Sequence, residues 1–185
     1  KTKIAIFLTY IQQTRFNPWQ ALFPASPSTF LFDSYSRTQI QKEMIHFQQA
    51  WEQKSFKIAL DCLTKILGLG IGLTPTGDDF ITGLLASFSA LKQLPSNFQQ
   101  LAVLAKERTN AVSYAEIHEA VNERFSQLVQ RVFLSIESGN TNEMAQAVSA
   151  LEEVVSTSGS DILCGIIFGL KLFCEENNHD NSNSN

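Results

Sequence analysis

The chain has 185 residues, 44% of them apolar, with 14 basic and 18 acidic side chains and a net charge of −4. That length supports a packed core without disulfide or metal staples, and no lysine–arginine cluster points to nucleic acid as a partner. No apolar run reaches the ~20 residues of a membrane span, no signal-peptide pattern is visible at the start, and the cysteines Cys62, Cys164 and Cys174 lack framework spacing. The cysteine pattern suits reduced core thiols and a cytoplasmic location.

The first residue is lysine rather than methionine, so an upstream segment is expected to be missing. Residues 3 to 9, a short apolar run with β-branched and aromatic members, read as a strand. Pro18, Pro24 and Pro27 with Trp19 and Phe23 read as an ordered loop, and Thr29 to Phe32 as a second short strand. Residues 1–35 are thus expected to be a shortened N-terminal β/loop segment.

Residues 36–176 are expected to form a helical domain. Ile40, Met44, Phe47 and Trp51 mark one face of a first helix, and Ile58, Cys62 and Ile66 a second, from about Ser55 to Leu67. A glycine-rich loop, Gly68 to Thr76, leads into a third helix from Gly77 to about Lys92. A fourth is expected from near Asn97 to Ala120, a fifth from Phe125 to Glu137, and a sixth from Thr141, its N-cap candidate, to Val154. The last runs from Gly159 to Glu175. The polar tail 177–185 is expected to be disordered. The fold class is mainly α: six or seven helices with a small N-terminal β-containing segment.

Two helix starts resemble each other. Thr76-Gly77-Asp78-Asp79 and Ser158-Gly159-Ser160-Asp161 both fit Ser/Thr-Gly-x-Asp, then three residues, Gly and two aliphatics. Each reads as a capping box with aspartate at the third helical position. Gly83 with Ser87, and Gly165 with Gly169, make small stripes that let two backbones approach. The two helices are therefore expected to cross near Gly83 and Gly165 with their N-termini within reach. Converging N-termini present N–H groups and positive dipole ends to an anion.

The loop glycines Gly70 and Gly72 let backbone amides approach the same ligand, and Pro75 holds Thr74 extended. Asp78, Asp79 and Asp161 would repel an anion if all faced it. Either some serve only as caps, or a divalent cation such as Mg²⁺, on Asp78 and Asp79, bridges carboxylate and ligand. Arg108, Thr109 and Ser113 can add a cation and hydroxyls, or simply form an exposed polar face.

Glu116, His118 and Glu119 do not have zinc-site spacing, and His46 and His179 lack partners in sequence. Gly68-Leu69-Gly70-Ile71-Gly72 follows a helix rather than a strand, so it is not a dinucleotide fingerprint.

The run Gly68-Leu69-Gly70-Ile71-Gly72-Leu73-Thr74-Pro75-Thr76-Gly77-Asp78-Asp79-Phe80 closely resembles the signature of the AllH-like family. Arg108-Thr109 with Ser113 is similar to that family's middle motif, and Thr157-Ser158-Gly159-Ser160-Asp161 with Gly165 to its last. Ile71 departs from the pattern, which often has proline there. The family includes a subunit assigned to oxamate carbamoyltransferase in allantoin breakdown.

The resemblance implies a subunit of a multi-protein enzyme that transfers a carbamoyl group between small anions. Gly72, Thr74, Thr76 and Gly77 would then cradle the ligand. Asp78 or Asp79 would hold a metal or orient a nucleophile, and Ser158, Gly159 and Asp161 would close the other side. The competing expectations are a non-catalytic scaffold or regulatory subunit whose motifs are structural helix caps, and an unrelated small-molecule binding module.

Overall fold

A computed structural model describes residues 2–14, 31–153 and 158–182. Among them are nine α-helices and no strand: α1 (Thr2–Gln13), α2 (Leu31–Glu52), α3 (Phe56–Ile66), α4 (Thr76–Ala90), α5 (Gln100–Arg108), α6 (Ala111–Val121), α7 (Gln127–Ser138), α8 (Thr141–Glu152) and α9 (Ser158–Ser182), with a 3-10 turn at Ser96–Gln99. The mainly helical expectation holds, and the β-containing segment does not.

Residues 3 to 9 lie in α1. A short apolar run does not distinguish strand from buried helix. Here Phe7 and Ile11, four apart on one helical face, are both buried and join Val132, Ile136, Met144 and Val148 in one core cluster. Leu31 and Phe32 begin α2 instead of forming a strand. Thr29, Phe30 and the proline loop with Trp19 and Phe23 lie outside the described residues.

The expected fourth helix is split. α5 ends at Arg108, and Asn110 restarts the chain by accepting hydrogen bonds from the Val112 and Ser113 N–H groups. A side chain that caps competes with helix continuation, which apolar periodicity alone does not reveal. Asn140, not Thr141, caps α8, accepting from the Asn142 and Glu143 N–H groups. α9 continues to Ser182, through most of the tail expected to be disordered.

α4 and α9 form the central layer and pack on each other more extensively than any other pair of helices. On one side lies an aromatic core: Phe47, Trp51, Phe88 and Phe98 are all buried, with the Trp51 and Phe88 rings stacked at 4.3 Å. The α2 stripe is buried as expected. In α3, however, Ile58 is exposed, and Ala59, Cys62, Leu63 and Ile66 form the packed face. On the other side α1, α7 and α8 enclose an aliphatic core.

The expected crossing is present. A Cβ on Gly83 would stand 1.9 Å from the Ile162 carbonyl oxygen, and one on Gly165 2.1 Å from that of Phe80. A Cβ on Gly169 would instead meet the Ser87 side chain, 1.7 Å from its hydroxyl oxygen. At Gly83 and Gly165 only glycine allows this approach, because a side chain there would meet backbone rather than movable atoms.

Candidate functional site

The crossing brings two helix starts together. Thr74, at the end of the glycine loop, lies 2.6 Å from Ser158 through their hydroxyl oxygens. Thr76 and Ser158 each open their helix, so Asp79 and Asp161 occupy the same register. Both are buried, and the charge of Asp161 acts on Asp79.

The α4 start is not the expected capping box. Pro75 is the N-cap, Thr76 is already helical, and no side chain caps the first turn. The Pro75 carbonyl accepts from the Asp78 and Asp79 N–H groups, and that of Leu69 from the Gly77 N–H at 2.8 Å. The preceding segment has thus taken the Gly77, Asp78 and Asp79 donors that a capping hydroxyl or an anion would use. Gly77 makes that fold possible: a Cβ there would meet the Ile66 carbonyl oxygen at 2.0 Å. Gly70 permits the same closeness, since a Cβ there would stand 2.5 Å from the Thr76 nitrogen.

The two adjacent aspartates have different surroundings. Asp78 accepts a 2.7 Å hydrogen bond from the Gly68 N–H and another from the Thr109 hydroxyl. It therefore clasps the glycine loop to the α5–α6 break. Ser113, fully buried, has its hydroxyl 3.4 Å from the Leu73 carbonyl and also favours the Asp78 charge, though burial still raises the Asp78 pKa. Thr109→Val should destabilise the fold by about 1–3 kcal/mol in urea titration, because it strands a buried carboxylate oxygen.

Asp79 is 1% exposed, and neither of its carboxylate oxygens has a hydrogen-bond partner among the described residues. Ser158 and Thr74 stand close enough to favour its charge, but the two hydroxyls bond to each other, which commits one of their two protons. Burial dominates and pushes the Asp79 pKa up to about 8, with Asp161 and Glu116 adding to the rise. At neutral pH Asp79 is then mainly a neutral acid, one O–H donor and one C=O acceptor.

The remaining expected residues divide. Gly159 is buried against the end of α8, where a Cβ would meet the Leu151 carbonyl oxygen at 1.8 Å. Gly72 sits at the exposed loop tip with open space around it. Arg108 is exposed and donates to the Thr64 carbonyl at 3.1 Å, so its expected role as a cation beside the aspartates is not what its hydrogen bond serves. Thr157 lies outside the described residues. Among the described residues, no group of three or more His, Cys, Asp or Glu side chains is placed to hold a metal ion.

Sequence reasoning missed Glu116 as a neighbour of the aspartates. It follows Ser113 by three positions on α6, hence on the same face, and that spacing was the available signal. Its charge acts on Asp79, and partial burial, followed by the charge of Asp78, raises its own pKa. Glu116 keeps much of its surface accessible because it opens onto a cleft of about 370 Å³ between α4, α6, α7 and α9.

The fold and site define a class: an all-helical protein organised on two glycine-notched helices whose N-termini meet beside buried aspartates. A family model described as oxamate carbamoyltransferase subunit AllH matches residues 66–170, the span from the end of α3 through most of α9. The chain belongs to that AllH family. No solved structure matches it.

Proposed function

We propose that the chain is a subunit of a carbamoyltransferase-type complex, and that neutral Asp79 recognises a carbamoyl group where α4 and α9 meet. The observation that carries this reading is the buried Asp79 carboxyl, whose two oxygens have no partner among the described residues. A neutral carboxylic acid is the complement of a primary amide: its O–H donates to the amide C=O while its other oxygen accepts an amide N–H. Neutralisation also removes one of the negative charges that would repel a small carboxylate or phosphate. The positive end of α9 favours such an anion, whereas the α4 amides of Gly77, Asp78 and Asp79 are already taken.

Entry of a ligand to Asp79 requires the Thr74–Ser158 bond to open, because the carboxyl is sealed. Once held, the carbamoyl carbon would be positioned for transfer chiefly by orientation and charge stabilisation. Partner chains of the complex would supply the remaining groups. Mg²⁺ on Asp78 and Asp79 would have to compete with the donors that hold Asp78.

Thermal shift with oxamate, carbamoyl phosphate and phosphate, each with and without Mg²⁺, tests the reading. A ligand selective for the native state raises the Tm. Carbamoyl compounds should do so in the natural protein and in Asp79→Asn, and not in Asp79→Leu. A shift that persists in Asp79→Leu would remove Asp79 from recognition. The saturated α4 amides favour a second reading, a non-catalytic scaffold subunit. Under it, no ligand shifts the Tm and the same substitutions alter stability alone.

A further inference from the structure

We propose that the cleft beside Glu116 is a second binding site, independent of the Asp79 reading, and that it takes a small primary ammonium compound with an apolar body. Four helices form it. Ala115 and Glu116 come from α6, Val129 from α7, Thr82 from α4 and Ile162 from α9, with Phe125 from the α6–α7 connection. A concavity of this size, largely apolar with a few convergent polar groups, is the usual form of a small-molecule site.

The charges select the ligand. Arg124, the one basic side chain among the described residues lining the cleft, is committed: its Nη2 donates to Glu119 Oε1 at 2.9 Å, and its Nε to Oε2 of the same carboxylate. His118 Nδ1 also lies 3.3 Å from Glu119. Glu116 is different. Its carboxylate meets no donor among the described residues, and the charge that acts on it is that of Asp78, another acid. An ammonium group offers that carboxylate three donors and a positive charge, while Ala115, Phe125, Val129 and Ile162 accept the carbon body. An anion would find Arg124 already occupied and Glu116 repulsive.

Titration followed by amide NMR, with benzylammonium as the probe and benzyl alcohol and benzoate as its neutral and anionic counterparts, tests the assignment. Benzylammonium should perturb Ala115, Ser126 and Ile162, and bind at least about tenfold more tightly than either counterpart. Glu116→Gln, a change at an accessible position that leaves the core untouched, should abolish that preference. Asp79→Asn should leave it intact, which separates this site from the carbamoyl reading. Equal binding of the three compounds, shifts elsewhere on the protein, or a preference that survives Glu116→Gln would overturn the proposal.

Discussion

Asp79→Asn should flatten the pH dependence of stability and make the protein more stable than its natural form at pH 8. The sign follows from linkage. An acid whose folded-state pKa is raised stays protonated in the native chain while the unfolded chain ionises. For Asp79 the window runs from the ordinary value of 3.8 to about 8. Below it both states hold the proton and the group adds no pH dependence. Stability is lost as pH rises through the window, by an amount on the order of 5 kcal/mol at its top.

Asp78 and Glu116, also raised, act in the same direction. Glu119, lowered by Arg124 to about 2, acts oppositely, losing its contribution as pH falls, but it is exposed and screened by solvent. Asparagine matches the neutral acid in shape and cannot ionise. Urea denaturation from pH 4 to 9 should therefore give nearly equal stabilities at the acid end and divergent ones at the alkaline end. Parallel curves would mean that Asp79 is ionised in the native state.

The second large effect belongs to the helix crossing. Gly165→Ala should destabilise the protein by about 3 kcal/mol or more, the upper end of overpacking costs. The new methyl would press on the Phe80 carbonyl oxygen at 2.1 Å and the Leu84 nitrogen at 2.8 Å, and neither can swing aside as a side chain would. Separating α4 from α9 would also carry the start of α9 away from Asp79, so the substitution should weaken ligand response as well as stability. Gly72→Ala is the control. Its Cβ enters open space, and only its φ of 93° opposes the change, at a cost of roughly 1–2 kcal/mol. Calorimetry on the two variants distinguishes the cases; equal losses would show that the crossing tolerates expansion.

Both effects concern residues visible in the amino-acid sequence, but to different depths. The repeated Ser/Thr-Gly-x-Asp starts and the small stripes of Gly83, Ser87, Gly165 and Gly169 sufficed to place two distant segments together, because such small residues at helical spacing have few other uses in a core. The α2 stripe was equally legible. The N-terminal run was not, since Phe7 and Ile11 become a helical pair only when α7 and α8 provide a surface for them.

By itself, then, the sequence determined the helical class, the motif that marks the family, and the meeting of α4 with α9. Only the tertiary structure decided that Asp78 is a clasp and Asp79 a sealed acid. Adjacent identical residues carry no local signal of which will meet Gly68 and Thr109 and which will face Asp161. It also decided that Arg108 turns to Thr64 while Glu116, from another helix, comes under the influence of the aspartates. Burial and electrostatic neighbourhood are properties of the assembled fold, set by contacts between elements far apart in the chain, and a linear pattern fixes the types of residue available but not their surroundings.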